Sequence, residues 1–136
     1  MKKAVSVILI NKEKQFLFHL RDNKKNIPFP NFWSFISGGV EENETLEEAL
    51  KREVKEEIGC NIKNPIFVGI LNIDNFGTLT YIYKAKINKK INEMNLTEGQ
   101  KIKFFSYNDG INLKLPEILR DFLIKNKDKI LAEFKE

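Results

Sequence analysis

The stretch from Thr45 to Gly59 most constrains what this chain can become, because it writes one helix with both ends marked. Thr45, followed three residues later by Glu48, has the spacing of a capping box, in which side chains satisfy the orphan amides of a first turn. Gly59 suits the left-handed residue that closes a helix. No Gly or Pro interrupts the segment, which is rich in Glu, Lys, Leu and Ala. Leu46, Leu50 and Val54 recur at i, i+4 and i+8, a stripe that must be covered by a core.

The flanks supply that cover. Val5 to Ile10 and Gln15 to Leu20 are β-branched or aromatic runs joined by Asn11 to Lys14, the pattern of a hairpin. Asn23 to Pro30 reads as a loop. Phe32 to Ile36 reads as a strand entering a flexible turn at Ser37-Gly38-Gly39. Beyond the helix, strands are expected at Ile66 to Asn72, Leu79 to Ile87 and Lys101 to Tyr107, with a turn at Asp74-Asn75-Phe76-Gly77. Pro116, with Leu119, Phe122, Leu123, Ile130 and Phe134 spaced among charges, predicts a C-terminal amphipathic helix packed on the sheet. Strands mixed with two helices make a layered α/β domain.

A chain of 136 residues buries roughly two thirds of its unfolded surface as one domain, so residues 1–136 are read as a single domain without linker or repeat. The lone Cys60 cannot close an internal disulfide, and one Cys with one His cannot build a four-ligand zinc site. Met1-Lys2-Lys3 before the apolar Ala4 to Ile10 imitates a signal peptide, but Asn11 to Lys14 cuts the run short with no small-residue cleavage site. With no stretch near the ~20 apolar residues of a membrane span, the expectation is a soluble, cytoplasmic protein with no membrane partner.

Net charge is +4, unevenly placed. Residues 41–57 hold eight acids against three bases, net −5, which leaves 20 bases against 11 acids, net +9, elsewhere. An acidic island in a basic surface is what a cation site attracting phosphates would present. Within the helix, Glu53, Glu56 and Glu57 lie on adjoining turns. Two such charges about 6 Å apart repel by roughly 0.7 kcal/mol in water and by about 3 kcal/mol at an effective dielectric of 20. A solvated acidic face with Glu47–Lys51 and Glu48–Arg52 pairs is the plain reading of the helix alone. A magnesium ion would turn the repulsion into ligation, because hard cations demand oxygen donors.

The surrounding spacing decides between them. Gly38, five residues, Glu44, seven residues, then Arg52-Glu53-Val54-Lys55-Glu56-Glu57-Ile58-Gly59-Cys60 resembles the Nudix box, G-x5-E-x7-R-E-U-x-E-E-x-G-U. Every position that demands one named residue is matched, Val54 fills one aliphatic position, and Cys60 stands at the other. Asn31-Phe32-Trp33 and Glu98-Gly99-Gln100 with Phe104-Phe105 resemble the family's flanking strands. Ile36-Ser37 stands where Pro-Gly is common and Asn43 where Gly is common, departures that touch loop shape.

The resemblance implies a Nudix-type α/β/α sandwich with a mixed sheet and a loop-helix-loop metal site. It implies magnesium, or alternatively manganese, on Glu53, Glu56, Glu57 and the Gly38 carbonyl. Arg52 would hold the glutamates by salt bridging, and Glu44 would brace the loop or approach the metals. The activity implied is hydrolysis of a phosphoanhydride bond in a nucleoside diphosphate derivative, with a nucleoside triphosphate as the first substrate to try. Nucleotide sugars, dinucleotides and capped RNA ends stay open, as does the oligomeric state.

Residues outside the box divide less cleanly. Glu98 is the candidate for a general base or extra metal ligand from beyond the box, with Glu53 as its competitor. Arg21, at the end of an early strand, is the substrate candidate, since a guanidinium contacts phosphate bidentately. His19 reads as a structural or surface residue rather than a base. Trp33, Phe32, Phe35 and Phe76 have the faces to stack on a base, with core packing as their default. The rival function is nucleic-acid binding, prompted by a pI near 9.1; against it, the bases are scattered along the chain rather than gathered in one stripe.

Overall fold

A computed structural model describes residues 2–72 and 77–134. Seven strands among them form one mixed sheet. They are β1 (Lys3–Ile10), β2 (Phe16–Leu20), β3 (Trp33–Ser34), β4 (Ile36–Gly39), β5 (Ile66–Leu71), β6 (Leu79–Lys86) and β7 (Lys101–Phe105). The helices are α1 (Leu46–Ile58), α2 (Tyr107–Gly110), α3 (Glu117–Lys125) and α4 (Lys127–Leu131).

β1 organises the sheet. Along one edge it pairs parallel with β6, from Lys3↔Leu79 to Ile10↔Lys86. The other edge is shared: β4 pairs antiparallel with its first half, and β2 touches its end at Ile10↔Phe16. β2 then pairs with β3 and with β7, and β5 closes the far side against β6. Side chains of β1 alternate between two cores, as a strand's period of two requires. Val5, Val7 and Leu9 face α1 with Leu50, Val54 and Ile58. Ile8 and Ile10 face α3 and α4 with Leu119, Phe122, Leu123 and Ile130. The result is the expected α/β/α sandwich.

Both marked ends of α1 form as read. Thr45 Oγ1 accepts the Glu48 amide at 3.1 Å, and Glu48 Oε1 accepts the Thr45 amide at 2.8 Å. Gly59 adopts φ 71° and donates to the Lys55 carbonyl at 3.0 Å. Leu50, Val54 and Ile58 are buried, each side chain stabilising by roughly 1.5–3 kcal/mol.

Four expectations need correction. The Phe32 to Ile36 strand is two strands with different partners, β3 on β2 and β4 on β1, broken at the buried Phe35. Ser37-Gly38-Gly39 is no flexible turn: it pairs with Ser6, Val5 and Ala4, because β1 offers an open edge there. The C-terminal helix is split at Asn126, whose side-chain amide donates to the Phe122 carbonyl at 2.9 Å and whose backbone leaves helical geometry. The strand ending at Tyr107 stops at Phe105, where Ser106 caps α2. The turn at Asp74-Asn75-Phe76 lies outside the described residues. Among the described residues no helix is long and apolar enough to cross a membrane.

Candidate active site

The site begins where α1 crosses β4. A β-carbon built on Gly38 would come 2.0 Å from the Glu53 carboxyl carbon, so only glycine lets the strand backbone and that carboxylate approach. The loop between β4 and α1 turns at Asn43, with φ 66°. Asparagine is among the few non-glycine residues that visit this region routinely, which accounts for its place where glycine is common.

Arg52 is the hub. Its Nε and Nη2 grip both oxygens of Glu44 at 2.7 and 2.9 Å, Nη2 also reaches the Gly39 carbonyl at 2.9 Å, and Nη1 donates to Glu53 at 2.8 Å and Glu56 at 3.3 Å. Glu41 stands 3.6 Å from the same Nη1. Bidentate, charge-assisted bonding of this kind is geometrically exacting. The Arg52 hydrogen bonds, helped by the Glu41 amide, hold the Glu44 carboxyl down at about 2. The same contact with Glu44 raises Arg52.

Glu57 is different in kind. It is 6% exposed, and among the described residues its Oε2 has no hydrogen-bond partner. Burial, then the charge and hydrogen bond of Glu53, then the charges of Glu98 and Glu56, push its carboxyl up to about 8. Near neutrality Glu57 therefore keeps a proton, and it keeps it beside Glu53. A buried oxygen left unsatisfied next to further carboxylates is a donor set suited to a hard divalent cation. Among the described residues no three acidic, histidine or cysteine side chains are gathered into a ready-made cage. Arg52 accounts for this, since it draws Glu53 and Glu56 toward its own guanidinium.

Glu98 is exposed, but its backbone is pinned from two sides. The Thr97 amide donates to the Glu57 carbonyl and its hydroxyl to the Glu56 carbonyl, both at 3.0 Å. His19, buried on β2, meets the Glu98 carbonyl at 2.8 Å through Nε2. A carbonyl can only accept, so Nε2 carries the proton. Gly99 follows with φ 88°, and a β-carbon there would lie 2.0 Å from His19 Nε2. Glu98 is thus held against the last turn of α1, although nothing in its local sequence announces this.

Arg21 stands apart from the box. Its Nε donates to the Pro28 carbonyl at 2.9 Å, and its own carbonyl accepts from the Gln100 side chain at 2.8 Å. It lies beside the segment that carries Glu98, with no hydrogen bond to the box among the described residues. Of the stacking candidates, Phe35 is buried core, Trp33 packs edge-on against Phe105, and Phe32 lies under Lys114. Sequence reasoning missed the Gly39 carbonyl, Thr97 and the tie between His19 and Glu98. Only the positive φ that glycine invites at position 99 could have hinted at the last.

Comparison with known proteins agrees with this architecture. An RNA pyrophosphohydrolase of Marinomonas sp. (strain MWYL1) is 35% identical over 101 residues, 74% of this chain and 56% of that protein. Nucleoside triphosphatase NudI of Enterobacter sp. (strain 638) is 55% identical over 31 residues, 23% of this chain and 22% of that protein. The chain thus spans little more than half the length of the first of these curated relatives and about a fifth of the second. Among solved structures, the MutT protein from Methanosarcina mazei Go1 superposes with a TM-score of 0.82 at 21% identity, covering 94% of both chains. The Nudix domain of Shewanella oneidensis NrtR, complexed with ADP ribose, superposes with a TM-score of 0.74 at 19% identity, covering 96% of this chain and 88% of that one. Since the NUDIX domain model also matches residues 1–125, the chain belongs to the Nudix family.

Proposed function

We propose that this chain is a magnesium-dependent hydrolase acting, as one domain in the cytoplasm, on a phosphoanhydride bond of a nucleoside diphosphate derivative. The observation that carries the reading is the buried, unpartnered Glu57 Oε2 beside Glu53. Evolution tolerates such an orphan where a ligand satisfies it.

In this reading Glu53, Glu56, Glu57 and the Gly38 carbonyl hold the ion, with manganese as an alternative. Once bound, a divalent ion neutralises phosphate oxygens and lowers the pKa of a water. The chain's own residues do the rest. Arg52, fixed on Glu44 and the Gly39 carbonyl, sets the position of the glutamates. Glu98, held by Thr97 and His19 beside the last turn of α1, accepts a proton from the attacking water as general base. Arg21 takes a phosphate of the substrate, because its Nε is spent on the Pro28 carbonyl while Nη1 and Nη2 make no hydrogen bond among the described residues.

A panel of nucleoside triphosphates, nucleotide sugars, dinucleoside polyphosphates and 5′-capped or 5′-triphosphorylated RNA, with magnesium and released phosphate as the readout, tests the proposal. RNA belongs on the panel because the Marinomonas relative is named an RNA pyrophosphohydrolase. Metal-dependent turnover of at least one class is expected; binding without turnover of any would overturn the enzyme reading.

A further inference from the structure

Lysines that are scattered along the sequence meet at one end of the sheet. Three cavities, of about 330, 400 and 1040 Å³, all reach Asn88 just past β6. The first two share Lys12, the first and third share Lys86, and the second and third share Lys89. They form one continuous track around the ends of β1 and β6. Lys12, Lys63, Lys86, Lys89 and Lys90 line it with exposed side chains. Two acids border it, Glu13 and Glu133, and Glu133 is paired with Lys14 at 3.0 Å. Among the described residues Lys63 and Lys89 have no ion pair.

This track is not the box. Gly38 pairs with Val5 and Lys86 with Ile10, so roughly 17 Å of strand, at ~3.3 Å per residue, separates the two along β1. Size and chemistry narrow the occupant. Ligand pockets for small molecules run to about 1,000 Å³, which the largest of the three cavities fills alone while the track continues past it on the β1 side. The floor carries more than charge. Asn61, Asn64 and Asn88 offer amides able to bond base edges, and Phe104 and Phe134, half-buried against the cores, edge the floor, with Lys84 and Lys86 lying over the Phe134 ring at 4.7 and 5.5 Å. Cations set beside amides and aromatic edges suit an extended polyanion bearing bases.

We infer that this lysine-lined track binds single-stranded RNA, at a site separate from the box and whether or not the box hydrolyses anything. A folded anionic protein would use the lysines but leave the amides and rings idle, and a mononucleotide would fill only part of the length.

The test is fluorescence anisotropy with a labelled single-stranded RNA of about a dozen nucleotides, in chelator so that no turnover intervenes. Five lysine–phosphate contacts predict a salt slope near −3.5, a loss of roughly 100-fold in affinity between 50 and 200 mM salt. Lys63→Gln/Lys89→Gln should flatten the slope by about 1.4, to a loss of roughly 20-fold over the same range. Lys2→Gln/Lys125→Gln, which removes the same charge from exposed positions outside the track, should change the slope little. Melting curves of both variants should match the parent, since all four side chains are exposed. Equal slopes for the two variants would overturn the site, as would absence of binding at 50 mM salt. Displacement of the RNA by ATP or polyglutamate at matched charge would overturn RNA as the occupant.

Discussion

Replacing Glu57 with Gln should make the metal-free protein more stable at alkaline pH. The unfolded carboxyl releases its proton near 4.5, whereas the folded one holds it until about 8. Between those values the folded state binds the extra proton, so this residue's contribution is fully favourable below about pH 4.5 and is lost as pH rises through 8. At ~1.4 kcal/mol per pH unit the ceiling is about 5 kcal/mol, and because part of the upward push on Glu57 comes from Glu53, which stays in the variant, the substitution recovers roughly 3 kcal/mol. For 136 residues at ~2.1 cal/mol/K per residue, that is a rise of about 10 °C in Tm. Glutamine also keeps a hydrogen to donate to Glu53, standing in for the lost proton. The assay is thermal unfolding of both proteins in chelator from pH 4 to 9, repeated with millimolar magnesium. Parent and variant should coincide near pH 4 and diverge toward pH 9, with the variant higher. Magnesium should then raise the parent by about 2.7 kcal/mol at 100 times its Kd and leave the variant nearly unmoved. A variant that melts below its parent at pH 9 in chelator would refute the assignment of a strained, protonated Glu57.

Other outcomes follow from the same geometry. Glu56→Gln removes an exposed carboxylate from a helix whose buried stripe is untouched, so kcat should fall by orders of magnitude with an unchanged circular dichroism spectrum; wild-type turnover at saturating magnesium would remove Glu56 from the metal site. Glu98→Gln should cut kcat by roughly 10² to 10⁴ with little change in KM; if it keeps full kcat while Glu53→Gln abolishes it, the base lies within the box. Gly99→Ala should lower Tm by roughly 7–20 °C, because its β-carbon meets His19 at a φ of 88°, a clash and a strain each of order 1–3 kcal/mol. Arg52→Lys should lose kcat even though charge is conserved, since an ammonium cannot grip Glu44 bidentately; unchanged kinetics would show that charge alone suffices.

What could be read in the sequence was what is decided locally. The caps of α1 depend on residues three or four apart, and its stripe on period alone, so Thr45, Glu48, Gly59, Leu50 and Val54 all stand where the pattern put them. Ser37-Gly38-Gly39 carried turn chemistry, and only the vacant edge of β1 makes it a strand. The contact of Arg52 with Glu53 runs against the rule that neighbours on a helix face apart; it exists because Glu44 and the Gly39 carbonyl bend the guanidinium back over the first turn. Glu98 shows the same limit more sharply. Its place is set by the bonds of neighbouring Thr97 to the Glu56 and Glu57 carbonyls of α1 and by His19 on a distant strand, partners no local pattern could supply. The lysines of the track look dispersed for the same reason, since β1 and β6 bring positions 12 and 86 to one end of the sheet only when they pair.

That parallel pairing also sets an order of assembly. During synthesis α1 can form as soon as it emerges, and β4 can lie along β1, because β1, β4 and α1 all precede Gly59 in the chain. The second edge of β1 stays open until β6 follows, at Leu79 to Lys86. Contacts between segments so far apart close slowly, since the loop entropy must be met before they stabilise anything. Thr97 and Glu98 arrive later still, and they dock on carbonyls at the end of a helix that is already in place. A nascent chain therefore carries its glutamate helix well before it carries Glu98, the residue proposed to activate water, while β7 and the helices that cover the other face of the sheet are still to come.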